Sequence, residues 1–249
     1  MADLEVFAIR GLPEITPGDD LGNLLCAAIE KSTTRPKPGD ILLVTQKIIS
    51  KAEGQIVRLS EVEPSPFAYN LARHLKKDPR QIEVVLREAR RIVRMDKGIL
   101  ITETHHGFVC ANSGVDKSNV QSDCVTLLPK NPDLSAKQLR DRLRSVFGVD
   151  VAVIITDSWG RPWRNGIVNF AIGSAGINPL VNYVGQKDPF GYVLNVTAMA
   201  ITDELAPLLE IVGGKLGRVP AALVRGCQYE QSEGGSTALL RAPEADLFR

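Results

Sequence analysis

The apolar runs of this chain, separated by amphipathic helical segments, constrain its fold more than any other feature. Residues 41–44 (ILLV) and 149–155 (VDVAVII) are predicted to be buried strands, because they are almost wholly apolar. A helix is predicted before each strand: one follows Asp19 or Asp20 as its N-cap, and the other runs from Ser135 as N-cap to Gly148 as C-cap. This order is typical of a sheet covered by helices.

The remaining segments do not continue a simple alternation of strands and helices. Residues 66–95 carry apolar side chains at helical spacing and are predicted to form helices divided near KKDPRQ. GILITET and GFVCANSGVD are predicted to be two strands joined by HHG, and a helix near 198–212 precedes a last strand, AALVR. We therefore expect an α/β to α+β fold with a mixed sheet, in which residues 1–249 form one domain, either undivided or in two lobes.

Composition excludes several classes of protein. Lys and Arg number 30 against 29 Asp and Glu, so the net charge of +1 gives no overall attraction to nucleic acid or anionic membranes. The N-terminus lacks the pattern of a signal peptide, and no run approaches the roughly 20 apolar residues of a membrane-spanning helix. The cysteines show no zinc-binding spacing and require no disulfide framework; they are Cys26, Cys110, Cys124 and Cys227. We expect a cytoplasmic protein without nucleic-acid or membrane partners.

Three segments share a pattern in which an apolar strand is followed by a cluster of small, acidic, amide and cationic residues. They are VTQKIISK, CANSGVDKSN and ITDSWGRPWRNG. Ligands of sheet proteins commonly bind where strands end, because side chains leave the packed sheet there. We therefore expect the three clusters to lie close together.

The third cluster has two interpretations. Asp157 and Ser158 offer adjacent oxygen ligands for a hard divalent cation, and Arg161 and Arg164 offer forked donors for phosphate or carboxylate. Alternatively, the aspartate caps the strand beside a turn whose arginines stack on aromatic rings. The segment holds both tryptophans of the chain, Trp159 and Trp163, which we expect to stiffen the turn or to line a substrate site.

The other two clusters also have two interpretations each. Asp116 is a candidate to share the cation and Asn119 to bind a base or ribose, although the same residues suit a plain Asx-type turn. Lys47 and Lys51 are candidates to bind phosphates as point charges, although most surface lysines are simply solvated.

Glycines offer a further candidate for phosphate binding. The sequence contains no GxxxxGK[ST] motif, which excludes a P-loop. The glycines of VGGKLGR (212–218) would let backbone amides approach a nucleotide, or Gly213 is simply a helix C-cap.

Taken together, these segments and several others resemble a known family. GLPEI, ISKAEG, NSGVDKSNV, ITDSWGRPWRNGIVNFAIGSAGI, GQKDPFGYVLNVT, DELAPLLEIVGGK and PAALVRG occur in the order found in coenzyme F420-0:L-glutamate ligases. The resemblance spans about residues 5 to 230 and is to the stand-alone form, without a C-terminal reductase domain.

The resemblance implies an activity. A GTP-dependent ligase of this family adds L-glutamate to coenzyme F420-0 and extends the gamma-linked tail through an acyl phosphate. It also implies Mg²⁺ or Mn²⁺ (two ions), K⁺ as a monovalent activator, and a homodimer.

The resemblance further implies roles for particular residues. The metal ligands would be Asp116, Asp157 and Ser158, and the catalytic residues Asp116, Asp157 and Lys51. The nucleotide would contact Leu12, Pro13, Glu14, Ile15, Gln46, Lys47, Lys51, Asn119, Val212, Gly213, Gly214, Lys215, Leu216, Gly217, Arg218 and Val219. Gln46 and Lys47 match by position only, and Gly214 stands where some members carry an acidic ligand for the second metal ion.

Two other functions share these residue types. A phosphohydrolase needs the same metal and phosphate groups, since hydrolysis and ligation use similar side chains. A nucleotide- or deazaflavin-binding protein without catalysis is the third hypothesis, because of the acid missing at Gly214.

Overall fold

A mixed five-stranded sheet forms the centre of the molecule, of which the computed structural model describes residues 3–246. In spatial order its strands are β1 (Glu5–Ile9), β12 (Ala221–Arg225), β2 (Ile41–Thr45), β8 (Ala152–Arg161) and β9 (Arg164–Ala175). The β2–β8 pair is parallel and the other neighbours are antiparallel. The predicted mixed sheet is confirmed.

Helices cover both faces of this sheet. On one face α1 (Leu21–Lys31) and α5 (Pro132–Phe147) pack over Leu42 and Val44 of β2. On the other face α6 (Ile201–Leu205) and α7 (Pro207–Gly213) pack over the intervening residues of β2. The apolar run 41–44 is therefore buried on both faces of the sheet, which explains why apolar and polar residues do not alternate along it.

The chain between β2 and α5 forms a group of smaller helices and strands beside the central sheet. A short antiparallel pair, a three-stranded sheet and two helices enclose a second apolar cluster that includes Leu71, Ile82 and Val85. In chain order the elements are α2 (Gln46–Ala52), β3 (Ile56–Arg58), α3 (Pro66–Leu75), α4 (Pro79–Arg87), β4 (Ala89–Asp96), β5 (Ile99–Thr104), β6 (Val109–Ala111) and β7 (Cys124–Thr126). Beyond β9, β10 (Val181–Asn182) pairs with β11 (Ala198–Met199). The division into one domain or two lobes stays a prediction.

Helix α5 begins earlier than predicted. Its N-cap is Asn131, whose side chain accepts from the Leu134 N–H at 3.0 Å, and Pro132 occupies the first turn. Ser135, predicted as the N-cap, lies inside the helix and donates its hydroxyl to Glu53 at 2.6 Å. The C-cap at Gly148 is confirmed, with φ of +68°.

Two other predicted boundaries are wrong. Residues 89–95 were expected to be helical, but they form β4, which pairs with β5 as an antiparallel strand with bulges. The strand predicted over 149–155 is β8, which spans Ala152–Arg161 because backbone pairing with β9 continues it beyond Ile155. The helix predicted near 198–212 is present as α6 and α7, which meet at Pro207.

The predicted hairpin-like unit is confirmed, since β5 and β6 pair antiparallel. All four cysteines are free thiols, and three of them are buried. Between residues 3 and 246 no helix is long and apolar enough to cross a membrane.

Candidate active site

The main cleft lies where the parallel strands β2 and β8 stop pairing. Their last paired residues are Thr45 and Thr156. Beyond this point the chain of β2 turns directly into α2, while β8 continues with Asp157 and Ser158. The resulting cleft encloses about 1160 Å³. It therefore sits at the carboxyl end of the parallel pair, where α/β proteins commonly bind ligands.

Several separate stretches of sequence line this cleft. The structure brings together parts of the segments 12–17, 45–51, 116–121, 156–158 and 210–220. The three polar clusters therefore meet, as expected from their positions after strands. Asp116, Asp157, Ser158, Asn119, Gln46, Lys47 and Lys51 all face this one volume.

The stretch 12–15 forms one wall together with a buried lysine. Lys51 lies on α2 with its side chain only 9% exposed, and its ammonium group donates to Glu14. Arg218 approaches the other oxygen of the same carboxylate at 3.8 Å. One carboxylate thus holds two cationic side chains at the cleft. Gln46 is turned inward and accepts from the Ser50 hydroxyl at 2.7 Å.

Asp116 is held in a tight turn. Its two carboxylate oxygens accept from the Ser118 N–H and the Ser118 hydroxyl, both at 2.7 Å, and the second oxygen also accepts from Lys47. Burial raises the pKa of Asp116, but the hydrogen bonds from Lys47 and Ser118 outweigh it and leave the pKa below its usual value. Asp116 is therefore an anionic oxygen donor at neutral pH.

Asp157 has the opposite electrostatic environment. Burial raises its pKa to about 6, and the charge of Asp116 adds to this effect. The backbone N–H of Ser158, which donates at 2.8 Å, and the ammonium groups of Lys47 and Lys215 oppose it incompletely. The two carboxylates are thus close enough to repel each other, and a cation between them would relieve this repulsion.

The donor set fits a hard divalent cation. Asp116 and Asp157 supply carboxylate oxygens and Ser158 a hydroxyl that lies 3.2 Å from Lys215 Nζ. Mg²⁺ and Mn²⁺ prefer such oxygen ligands. Within residues 3–246 no group of three or more His, Cys, Asp and Glu side chains is arranged to hold a metal ion.

The glycine-rich loop after α7 also lines the cleft. A Cβ atom on Gly217 would lie 1.8 Å from the carbonyl oxygen of Gly213, so only glycine permits this close turn. The helix ends at Gly213 and its C-cap is Gly214, at φ of +65°, one residue later than predicted. From the predicted set 212–219, the cleft is lined by Gly214, Lys215, Leu216, Arg218 and Val219, but not by Val212, Gly213 or Gly217.

Comparison with known proteins identifies the family. The profile of the F420-0:Gamma-glutamyl ligase family matches residues 10–226. The chain belongs to this family. A coenzyme F420:L-glutamate ligase of Methanopyrus kandleri is 44% identical over 257 residues, which cover the whole of both chains. Those of Methanothermobacter thermautotrophicus, 39% identical over 99% of both chains, and Methanocaldococcus jannaschii, 44% identical over 85% of both, are similar in the same way.

In this member of the F420-0:gamma-glutamyl ligase family, the cleft also contains polar residues that the sequence did not indicate, among them Thr156, Asn169 and Glu210. Thr156 is buried, and its hydroxyl has no hydrogen-bond partner in the described part of the chain. Asn169 lies opposite Ser158 on β9 and is also buried. Glu210 brings a carboxylate from α7, one helical turn before Gly214. The unpaired buried hydroxyl is the kind of group that a ligand or water satisfies.

The tip of the β8–β9 hairpin lies outside the cleft. Trp159 packs between Phe108 and Phe170, with ring centroids 5.9 and 5.3 Å away, and so stiffens the hairpin. Trp163 occupies the turn at φ of +60° and is 81% exposed. The cleft is not lined by Trp159, Trp163, Arg161 or Arg164. A role for the tryptophans in acceptor binding stays a prediction.

Proposed function

We propose that this protein is a GTP-dependent ligase that joins L-glutamate to coenzyme F420-0 and extends the gamma-linked tail in coenzyme F420 biosynthesis. The observation that carries the proposal is the meeting of Asp116 and Asp157 with Lys47 and Lys51 in one cleft. Membership of the family and the names of its full-length relatives support it.

The chemistry requires activation of a carboxylate, which is a poor acyl donor. In the proposed route a carboxylate oxygen of the acceptor attacks the γ-phosphorus of GTP, the bond to the bridging oxygen breaks, and GDP leaves. The amine of L-glutamate then attacks the carbonyl carbon of the acyl phosphate, loses a proton and displaces phosphate. Both steps depend on alignment of the reactants and neutralisation of charge.

The side chains of the cleft suit these tasks. Lys47 and Lys51 present ammonium groups that bind phosphate oxygens as point charges. Asn119 and the segments 12–15 and 212–219 are proposed to hold the nucleotide. Glu14 keeps Lys51 at the wall of the cleft, so that its ammonium group is already positioned before the nucleotide binds.

Asp116, Asp157 and Ser158 are proposed to hold Mg²⁺ or Mn²⁺. A divalent ion bound there would neutralise charge on the phosphoryl group that is transferred. Glu210 is a candidate ligand for a second ion, since it brings an acid to the cleft near Gly214. K⁺ as a monovalent activator is proposed from the family resemblance alone.

We also propose that the protein acts as a homodimer in the cytoplasm. The segment around β10 and β11 exposes several large apolar side chains, among them Phe190 at 97% and Val196 at 90%. Exposed apolar patches commonly mark protein interfaces. Free thiols agree with a reducing compartment. One chain has a mass of 27.1 kDa. Light scattering coupled to size-exclusion chromatography should give twice that mass, and a measured mass of one chain would contradict the proposed dimer.

The decisive assay combines purified protein, GTP, Mn²⁺, L-glutamate and F420-0. Mass spectrometry should show the acceptor gaining one or more glutamyl residues, with one GDP formed for each. Phosphate release that needs neither glutamate nor acceptor would favour a phosphohydrolase. Tight binding of nucleotide by folded protein without product would favour a binding protein, and either outcome would overturn the ligase proposal.

A further inference from the structure

The ammonium group of Lys47 is bound, not solvated. It donates to Asp116 Oδ2, to the Ser118 carbonyl oxygen at 2.9 Å and to the Ser118 hydroxyl at 2.5 Å. An ammonium group has three N–H donors, so all of them are used. The side chain of Lys47 is only 16% exposed, whereas most lysines keep their charged end in water. The Asp116–Ser118 turn therefore forms a binding site for a cation, which the ammonium group of Lys47 occupies.

The same contact limits the binding capacity of Asp116. Its Oδ2 accepts from both the Ser118 hydroxyl and Lys47, which uses the two lone pairs of that oxygen. A divalent ion that binds Oδ2 has to displace either the ammonium group or the Ser118 hydroxyl, and in the second case it lies beside the like charge of Lys47. An ion that binds Oδ1 instead lies within a few ångströms of a like charge, which opposes it. A cation at Asp116 thus competes with Lys47 at either oxygen.

A displaced Lys47 stays inside the cleft. Lys47 is the second residue of α2, which begins where β2 ends, so its backbone is fixed at the wall of the cleft. Its flexible side chain can therefore move only within the cleft. Lys51, one helical turn later, is already paired with Glu14. Lys47 is therefore the ammonium group that binding of an ion at Asp116 would release towards an anionic ligand.

We infer that Lys47 is a tethered counter-cation, which competes with a divalent ion for Asp116 and, once displaced, binds the phosphates of the nucleotide. The inference rests on the proposed assignment of Asp116 to the ion. It predicts that ion and nucleotide strengthen each other's binding, because each binds better when Lys47 has moved from the carboxylate to the phosphate.

The first test measures Mn²⁺ binding without nucleotide, by electron paramagnetic resonance of the free ion. Lys47→Gln and Lys47→Met should each bind Mn²⁺ at least about fivefold more tightly than the unchanged protein, at the lower end of typical coupling factors. Lys47→Arg, which keeps the charge, should stay close to the unchanged protein. Unaltered or weaker binding in both neutral variants would overturn the inference, provided that thermal unfolding shows them folded.

Two controls define the site. Lys137→Gln removes a lysine that pairs with Asp141 on the surface of α5, so its Mn²⁺ affinity should not change. Asp116→Asn should weaken Mn²⁺ binding, and an unchanged affinity there would remove the basis of the inference. Neither titration contains glutamate or F420-0. A protein that follows these expectations but makes no product would contradict only the proposed ligase activity.

The second test measures the coupling between Mn²⁺ binding and nucleotide binding. The probe is a fluorescent analogue of GDP, titrated with and without Mn²⁺. The factor by which saturating Mn²⁺ tightens GDP binding should be larger in the unchanged protein than in Lys47→Gln, because the variant has no ammonium group to release. Chelation of Mn²⁺ by GDP contributes equally to both proteins. An equal or larger factor in the variant would show that Lys47 does not pass to the phosphates.

Discussion

The two ends of the parallel pair β2–β8 both carry buried charge, but only one end is balanced. At the amino end, Asp40 precedes β2 and accepts two hydrogen bonds from Arg225, at 2.7 and 3.0 Å. Asp150 precedes β8 and accepts two from Arg140, at 2.8 and 3.0 Å. Each carboxylate there faces a guanidinium fork, the pairing of best geometric fit.

At the carboxyl end Asp116 is paired with Lys47, but Asp157 is left under-compensated. Asp116 and Asp157 face one cleft, and repulsion between them adds to the burial that raises the pKa of Asp157. Perturbed carboxylates of this kind cluster at ligand-binding sites, whereas a carboxylate that faces a guanidinium fork is typical of a structural pair. The contrast teaches that pairing geometry, more than residue type, distinguishes the amino end from the candidate site.

The largest expected effect comes from removing the charge of Asp157. Asp157→Asn keeps the shape and the hydrogen bond from the Ser158 N–H but removes the charge of the proposed metal ligand, so the rate of glutamyl transfer should fall at least about 10³-fold. The matched control at the balanced end, Asp150→Asn, should keep its activity per folded molecule. Comparable activity in the two variants would abolish the proposed distinction between the ends.

The second effect tests the balanced end directly. Arg140 is 10% exposed and also donates to Glu233 at 2.8 Å, so Arg140→Met leaves two carboxylates without their partner. The free energy of unfolding should fall by about 2–3 kcal/mol, since three charge-assisted hydrogen bonds are lost, while Asp150 and Glu233, whose side chains are 32% and 74% exposed, keep access to water. Urea denaturation measures the change, and kcat/KM of the folded enzyme should not alter. A loss below about 0.5 kcal/mol would place Arg140 among ordinary surface residues.

Much of the fold could be predicted from the sequence at the level of its helices and strands. The run 41–44, the helix behind Asp20 and the C-cap at Gly148 follow from local apolar spacing and backbone preference. Residues 89–95 were predicted wrongly because Ala89 and Ile92 continue the helical spacing of α4, while pairing with β5 decides their structure. Local pattern does not contain that non-local partner.

The site was predictable only where residues are unusual for their surroundings. Asp116 and Asp157 stand out because each lies in a polar cluster that follows an apolar strand. Thr156 and Asn169 do not, because a single polar residue within a strand gives no signal until the fold turns it towards a cleft. The difference between Asp150 and Asp157 was likewise hidden, since only the folded chain brings Arg140 to one of them.

A third, smaller effect reverses the usual result of mutating a charged residue. The pKa of Asp157 rises from 3.8 to about 6 on folding, so its contribution to stability is most favourable below pH 3.8 and is lost as pH rises to about 6. Without divalent ions, Asp157→Asn should therefore be more stable above pH 6, by up to about 3 kcal/mol. Paired urea titrations at pH 7.5 and pH 4 should show this gain shrink in acid. A gain that does not depend on pH would argue against a desolvated carboxylate.

The smallest effect separates charge from geometry at the balanced end. Arg225 stacks over Phe7, donates twice to Asp40 and donates to the Arg35 carbonyl oxygen at 2.8 Å. Arg225→Lys keeps the charge but cannot make this forked set, so unfolding should become easier by about 1 kcal/mol. Arg94→Lys, in an exposed pair with Asp96 at 3.3 Å, should change it by less than about 0.5 kcal/mol. Equal effects in the two variants would mean that charge alone, without the fork, stabilises the amino end of the strands.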